Sequence, residues 1–266
     1  YLDHLPLYRQ EGIFGRAGLE IPRSTLAQWV GRCGVALQPL VDALREAIFA
    51  RGVLHADETP VSMLAPGTGK THKAYVWAYG TTPYDALQAV VYDFAESRAG
   101  QHARRFLEGW QGKLVCDDFA GYKALFATGV TEVGCMAHAR RKFHDLWVSH
   151  KSPLAEEALS YFRTLYDIER TAQTLSADER QRLRVLQTRP VLDTFHRWLL
   201  LKRQQATDGT AAAKAIDYSL KRWEALVRFV DDGDLPIDNN HLENRIRPIA
   251  LGRANWLFAG SLRGGQ

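Results

Sequence analysis

The chain has 266 residues, of which 46% are hydrophobic and 24% are charged. This length suffices for one large domain or two small ones, and the composition is ordinary for a soluble globular protein. The formal net charge is only +4, so overall charge alone does not indicate a nucleic-acid partner. No run of about 18 apolar residues occurs, so no membrane span is predicted. The three cysteines lack CxxC spacing, which argues against a disulfide framework or a cysteine-based zinc knuckle and favours a reducing compartment.

Residues 1–50 are predicted to be helical. One helix covers 7–17, Ser24 caps a second, and a third covers 39–49. The first two helices flank a turn that contains glycine. This arrangement is typical of a DNA-binding helix-turn-helix, but an ordinary helical hairpin has the same spacing.

Residues 51–139 are predicted to form a mixed sheet with helices packed on it, which is an α/β fold. Apolar, β-rich runs and helical periodicity give the order β-β-β-α-β-α-β. The strands are predicted over 53–57, 74–81, 86–94, 112–117 and 130–137, and the helices over 98–110 and 122–127. In this order the first and fourth strands can lie side by side.

Residues 140–232 are predicted to be an all-α insertion. Ser152 precedes a proline that can occupy the first helical position, and residues 176–179 form a capping box. Acidic residues, Gly233 and Pro236 end this region. The chain then returns to the sheet domain over 233–266.

Three carboxylates are the candidate catalytic residues. Asp57 and Asp117 each end an apolar strand, and Glu243 lies where a helix is predicted to begin. A carboxylate at the end of a buried strand is costly unless it is paired or binds a metal. If the three converge, they form an oxygen site for Mg²⁺ or Mn²⁺, and two such ions about 4 Å apart can drive phosphodiester chemistry.

Two basic clusters are candidates for phosphate contacts, although each is equally compatible with a solvated helix face. Arg245 and Arg247 follow Glu243 by two and four residues, so a helix cannot aim all three identically. At least one of these arginines is expected to reach DNA. The second cluster supplies weaker candidates for the same role, namely His138, Arg141 and Lys142.

Cys135 and His138 could offer a thiolate and an imidazole to a metal. Zinc needs about four ligands, and no second pair with metal-binding spacing is evident in the sequence. We therefore interpret Cys135 as a packed cysteine. His138 is expected at the end of a strand, where it could help to position DNA or the carboxylates.

Several motifs together resemble the insertion-sequence-66 family of bacterial transposases, in the family's order and over nearly the whole chain. They are His55-Ala56-Asp57-Glu58-Thr59-Pro60, Asp117-Asp118-Phe119-Ala120-Gly121-Tyr122, Gly134-Cys135-Met136-Ala137-His138-Ala139-Arg140-Arg141-Lys142-Phe143, Ile237-Asp238-Asn239-Asn240-His241-Leu242-Glu243-Asn244-Arg245-Ile246-Arg247-Pro248 and Gly252-Arg253-Ala254-Asn255-Trp256-Leu257-Phe258-Ala259-Gly260-Ser261. The amino-terminal stretches 3–10 and 24–30 are also similar, which favours the helix-turn-helix. Because the chain begins with Tyr1 rather than Met, we expect it to be a fragment of a longer protein.

The resemblance implies a ribonuclease-H-like catalytic domain interrupted by the helical insertion. It implies that Asp57, Asp117 and Glu243 hold two Mg²⁺ ions, with Mn²⁺ as a substitute. The expected partners are double-stranded DNA, as transposon ends and target, and further copies of the chain on that DNA. No membrane partner is expected, and the expected location is the bacterial cytoplasm, at the nucleoid. The family usually has glycine where this chain has Asp118, so Asp118 remains an alternative to Asp117 as the metal ligand.

Two other functions fit the same residues. One is a ribonuclease-H-like nuclease without strand transfer, and the other is a non-catalytic DNA-binding protein derived from a transposase. The intact acidic triad and the pair Asn239-Asn240 argue against the second.

Overall fold

A computed structural model of the protein describes residues 4–266. Residues 1–3, which belong to the predicted helical region and include Asp3 of the first family-like stretch, lie outside the described residues. Five strands form one sheet, and they are β1 (Val53–Ala65), β2 (Lys70–Gly80), β3 (Val90–Ala95), β4 (Lys113–Cys116) and β5 (Thr131–Gly134). Their spatial order is β3-β2-β1-β4-β5. Strand β2 is antiparallel to both neighbours, whereas β1, β4 and β5 run parallel. The predicted mixed sheet and its element order are confirmed, with β1 beside β4.

Helices precede, interrupt and follow the sheet. They are α1 (Leu7–Arg16), α2 (Arg23–Phe49), α3 (Gly100–Phe106), α4 (Lys123–Phe126), α5 (Met136–His150), α6 (Pro153–Ala172), α7 (Ala177–Leu183), α8 (Arg189–Gln205), α9 (Ala211–Lys221), α10 (Trp223–Val227), α11 (Asn240–Trp256) and α12 (Leu262–Gly265). Among residues 4–266, no helix combines the length and apolar character that a membrane crossing requires.

The amino-terminal region differs from the prediction in two respects. Helix α2 begins at Arg23, with Pro22 before it, so Ser24 lies inside the helix and does not cap it. Helices α1 and α2 flank a turn in which Gly18 has a φ of +81°, a left-handed conformation that favours glycine. The predicted third helix is not separate, because α2 continues through Pro39. The residues around Pro39 are largely exposed, so water can satisfy the backbone carbonyl that loses its N–H partner.

Strand β1 is longer than predicted, so Asp57 lies within it rather than at its end. The sequence places a proline at position 60, which argues for a strand end. The backbone groups of Ser62 and Leu64 bond to Ala259, away from β2. Pro60 lies two residues before Ser62 and four before Leu64, so its nitrogen, which carries no hydrogen, also faces away from β2. Strand β4 pairs with β1 only as far as His55, and Pro60 therefore removes no hydrogen bond from the sheet.

The two faces of the sheet carry separate apolar cores. On one face, Leu54 and Ala56 pack with α3 and the end of α2. On the other face, Val115 and Val133 pack against the helical region 136–230. Helix α11 crosses this second face and lays its apolar stripe, which includes Leu242, on β2. Alternation along β1 places Asp57 on the face that α11 covers.

Strand β5 is shorter than predicted, and this corrects the position of His138. The β4–β5 ladder ends at the pair Cys116 and Gly134, so the chain beyond has no strand to pair with and turns into α5. Cys135 is the residue that precedes α5, and His138 lies in the first turn of that helix. The helical insertion is predicted to begin at residue 140, but α5 starts before that position, so the helical region begins at Met136.

Candidate active site

Asp57 and Asp117 lie level with each other across β1 and β4. The last pair of that ladder joins His55 with Val115, and each acid lies two residues after its member of the pair. Side chains two residues apart on extended backbone point to the same face. The two carboxylates are therefore neighbours beneath α11.

Glu243 joins them from the first turn of α11. The pKa of Asp57 is raised to about 8, mainly by burial, then by the charge of the adjacent Glu58, and also by the charges of Glu243 and Asp117. The backbone N–H of Glu58 donates to Asp57 Oδ1 at 2.9 Å and opposes the shift. The three acids named from the sequence thus lie close enough for their charges to interact.

The adjacent acids Asp117 and Asp118 have different surroundings. Asp118 is half-exposed and forms an ion pair with Arg222, whose side chain is almost completely buried. Asp117 has one oxygen 3.9 Å from Arg98, and its charge raises the pKa of Asp57. The geometry therefore groups Asp117, and not Asp118, with Asp57.

Glu58 and Arg98 form an ion pair beside these acids that sequence reasoning missed. The Arg98 Nε donates to Glu58 Oε1 at 2.7 Å, and the hydroxyl of Tyr122 donates to Glu58 Oε2 at 2.9 Å. Burial raises the pKa of Glu58, and the Arg98 contact opposes that shift. The available signal was strand alternation, which turns Glu58 to the face opposite Asp57, into a core where a carboxylate needs a cation.

Asn239 is completely buried and ties the start of α11 to β1 and α5. Its Nδ2 donates to the carbonyl of Ala56 at 3.0 Å, so its Oδ1 is the acceptor for His55 Nδ1, at 2.5 Å. Burial lowers the pKa of His55 to about 4, so the ring is neutral with its proton on Nδ1. The Asn239 N–H also donates to Cys135 Sγ at 3.2 Å. These contacts fix the end of α11 that carries Glu243.

The three predicted DNA contacts that the structure places on α5 lie at different distances from Glu243. His138 Nδ1 is 3.8 Å from Glu243 Oε1, and an Arg141 terminal nitrogen is 4.0 Å from Glu243 Oε2. Lys142 is exposed, and its ammonium lies 5.5 Å from the centre of the Tyr218 ring. Arg141 is the predicted DNA contact of this group that is both exposed and beside the acids.

The predicted arginines of α11 are both exposed. Arg247 lies one turn after Glu243 and so shares its side of the helix, whereas Arg245 does not. The backbone carbonyl of Arg245 accepts a hydrogen bond from Tyr92 on β3 at 2.8 Å. Arg253 is the structural arginine of this helix, since it donates to Thr59 Oγ1 at 3.1 Å.

Replacing Asp57 by Asn is expected to stabilise the metal-free protein at alkaline pH. The folded-state pKa of Asp57 is about 8, above its ordinary value of 3.8, so folding retains a proton. The proton that Asp57 holds in the folded state contributes stability that is fully present below about pH 4 and is lost as pH rises through about 8. At pH 8 and above, Asp57→Asn should raise the free energy of unfolding by about 2–4 kcal/mol. Urea unfolding at pH 5 and 8.5 in the presence of a chelator measures this.

Asp118→Asn is the matched control, because Asp118 already has Arg222 as its partner. It should give no gain at pH 8.5 and a small loss. An Asp57→Asn protein with the same pH dependence of stability as the unmodified chain would contradict the proposed crowding of carboxylates.

Comparison with known proteins bears on the chain as a whole. The family model described as "Transposase IS66 family" matches residues 1–266. The uncharacterized protein y4qI of Sinorhizobium fredii (strain NBRC 101917 / NGR234) is 38% identical over 278 residues, covering 100% of this chain and 52% of its own length. Two further proteins of that strain are similar: y4hP is 35% identical, with 98% of this chain and 51% of its own length covered, and y4jD is 36% identical, with 99% and 54% covered.

The chain therefore spans about half the length of the curated relatives it matches. The match to the family model extends over all the motifs that the sequence offered, from the amino-terminal helices to the end of α11. The chain belongs to the IS66 family of transposases.

Proposed function

We propose that this chain contains the catalytic core of a DDE transposase, which cleaves DNA strands and transfers them with Asp57, Asp117 and Glu243 as metal-binding residues. We also propose that its sheet is ribonuclease-H-like. The strand order β3-β2-β1-β4-β5, with β2 antiparallel to its neighbours, supports that fold. The observation that supports the function is the grouping of three carboxylates, from β1, the end of β4 and α11, on one face of the sheet, where the charges of Glu243 and Asp117 raise the pKa of Asp57. Their oxygens do not all lie within 4.8 Å of one another, so binding of a cation would draw the side chains together.

The residues present fit a divalent cation. All three donors are carboxylates, which are the ligands that Mg²⁺ and Mn²⁺ prefer. Their mutual repulsion contributes to the raised pKa of Asp57, and a cation would relieve it. Glu243 Oε1 is buried and has no hydrogen-bond partner among the described residues. When bound, a pair of such ions activates the attacking hydroxyl group and stabilises the leaving 3′ oxygen.

The chain's own residues prepare this site. Asp57 would release its proton when the cation binds, so Mg²⁺ affinity should increase as pH rises towards about 8. Arg98 holds Glu58 in an ion pair and approaches Asp117. Asn239 fixes the start of α11, and with it the position of Glu243.

Arg141 and Arg247 are proposed to bind DNA phosphates close to these carboxylates. Both are exposed, Arg141 approaches Glu243, and Arg247 lies one turn after it. Each alanine variant should weaken binding to duplexes of any sequence and lower the slope of log affinity against log salt by about 1. Fluorescence anisotropy at several salt concentrations measures both quantities.

Arg197→Ala is the control for loss of one positive charge. Arg197 is an exposed arginine of α8 that bonds within its own helix, to the carbonyl of Asp193. It should leave the salt slope unchanged. Equal slopes for Arg197→Ala, Arg141→Ala and Arg247→Ala would contradict the proposed DNA surface. Arg245→Ala should have a smaller effect than Arg247→Ala.

The experiment that tests the function supplies pre-cut transposon ends and a target duplex in the presence of Mg²⁺. Joined products are expected, and they should disappear when Glu243 is replaced by Gln. Hydrolysis without joining would favour a nuclease that lacks strand transfer. Binding without hydrolysis, and without a divalent-ion site at the carboxylates, would favour a transposase-derived DNA-binding protein.

A further inference from the structure

Cys135, His138 and Glu243 bring three different metal-binding groups together. The thiol sulfur, an imidazole nitrogen and a carboxylate oxygen all lie within 4.8 Å of one another. Cys135 and His138 are three residues apart at the start of α5, so their side chains lie on the same side of the helix. Glu243 arrives from the first turn of α11. The sequence offered two of these ligands, and the fold adds the third.

Two of these groups point polar atoms at each other without bonding. His138 Nδ1 and Glu243 Oε1 are both buried, and neither has a hydrogen-bond partner among the described residues. They are 3.8 Å apart, too far for a direct hydrogen bond. Buried polar atoms are rarely left unsatisfied, because each costs about 1–3 kcal/mol. The gap between them is therefore where a bound species is expected.

Burial and the charge of Asp238 raise the pKa of the Cys135 thiol to about 12, so a bound metal ion would have to displace the thiol proton. The Cys135 sulfur accepts the backbone N–H of Asn239 at 3.2 Å, a contact of the kind that holds metal ligands in place. The sulfur also lies near the amino-terminal ends of α5 and α11, where helix dipoles favour a negative charge. The other buried cysteine, Cys116, packs in the apolar core on the opposite face of the sheet.

We propose that Cys135, His138 and Glu243 bind a transition-metal ion of the Zn²⁺ class, with a fourth position open to water or a phosphate oxygen. Sulfur and nitrogen donors select Zn²⁺ or Co²⁺ over Mg²⁺. Bonds of about 2.0–2.3 Å place the ligand atoms of a tetrahedral ion roughly 3.5 Å apart. Side-chain rotations that move these atoms by about 1 Å would therefore bring them into position. This site goes beyond the proposed function and shares only Glu243 with it.

Titration of the full chain with Co²⁺ tests the site without DNA. A bound thiolate gives a charge-transfer absorption in the near ultraviolet, together with visible bands of a four-coordinate ion. Both are expected, and Zn²⁺ should displace them. The assay uses a Cys33→Ser background, because Cys33 is an exposed thiol that could bind Co²⁺ by itself. Cys116→Ala in the same background should retain the signal.

Cys135→Ser should abolish the charge-transfer band. His138→Ala should retain the thiolate but weaken Co²⁺ binding by about tenfold or more. Glu243→Gln keeps the size of the side chain, so it should weaken binding while the fold and the band persist at high Co²⁺. Circular dichroism of each variant excludes misfolding as the cause. A Cys135→Ser protein that keeps the band, or an unmodified site that shows none, would overturn the proposal. In the second case, a hydrogen bond between His138 and Glu243, and not a metal ion, would account for the position of the two side chains.

Occupation of this site would withdraw Glu243 from the proposed Mg²⁺ site, a consequence that rests on the proposed function. Zn²⁺ should then inhibit Mg²⁺-dependent cleavage by the unmodified chain, and Cys135→Ser should require about tenfold more Zn²⁺ for the same inhibition. A Co²⁺ band without Zn²⁺ inhibition would contradict the coupling alone. A Co²⁺ band without any cleavage would count against the proposed function and not against the metal site.

Discussion

Alanine at Asp57, Asp117 or Glu243 is expected to lower Mg²⁺-dependent DNA strand cleavage by about a thousandfold or more. Metal-ion stabilisation of the reacting oxygens contributes several kcal/mol, and about 4 kcal/mol corresponds to a factor of a thousand in rate. Binding to DNA should remain, because positively charged residues outside the triad supply the phosphate contacts. Cleavage of a labelled duplex, with binding measured in parallel, separates these two effects.

Asp118→Asn is the matched control for this experiment, because it removes one carboxylate from the next residue. Asp118 is paired with Arg222, so we expect cleavage to persist within about tenfold. Full activity of an Asp117 variant together with loss in the Asp118 variant would shift the site by one residue. Retention of cleavage in all three alanine variants would eliminate the proposed mechanism.

Glu169→Ala is expected to lower the free energy of unfolding by about 3–5 kcal/mol. Arg184 is completely buried, and it donates to both carboxylate oxygens of Glu169, at 2.8 and 2.6 Å. Its remaining terminal nitrogen bonds to three backbone carbonyls, which belong to Phe229, Asp232 and Leu235. Loss of Glu169 therefore leaves a buried charge without its counter-ion. Urea unfolding monitored by tryptophan fluorescence gives the change.

A neighbouring surface pair supplies the control for this prediction. Arg170 is exposed and pairs with Asp167 on the same helix, so Arg170→Ala should change stability by less than about 0.5 kcal/mol. The double variant Glu169→Leu with Arg184→Met should recover much of the loss, since apolar replacement of a buried pair is often neutral. A Glu169→Ala change below about 1 kcal/mol would show that the buried pair does not hold the segment that leads to α11.

The meeting of Asp57 and Asp117 could be anticipated because it depends on topology. A β-β-β-α-β order can bring the first and fourth strands together, and the constant register of a parallel ladder brings equivalent positions level. The end of β1 could not be anticipated from Pro60. Whether the strand can continue through Pro60 depends on where β4 stops and on the side of β1 that the proline nitrogen faces. Neither is a local property of the sequence.

Long-range polar contacts were the other part that the sequence did not reveal. Asn239 is 183 residues from Ala56 and 104 residues from Cys135, and no periodicity marks such a pair. The same is true of Arg98 and Glu58. Family-like motifs drew attention to Asn239, but its role as a link between α11 and β1 emerges only when both elements are in place.

The central claim is that Asp57, Asp117 and Glu243 together bind the catalytic metal ions. Anomalous diffraction from a crystal of the protein soaked in Mn²⁺ tests it most directly. The account predicts Mn²⁺ density in contact with oxygens of all three residues, with Asp118 still paired to Arg222. Mn²⁺ bound to Asp118 instead of Asp117, or the absence of Mn²⁺ between the three carboxylates at saturating concentration, would contradict it.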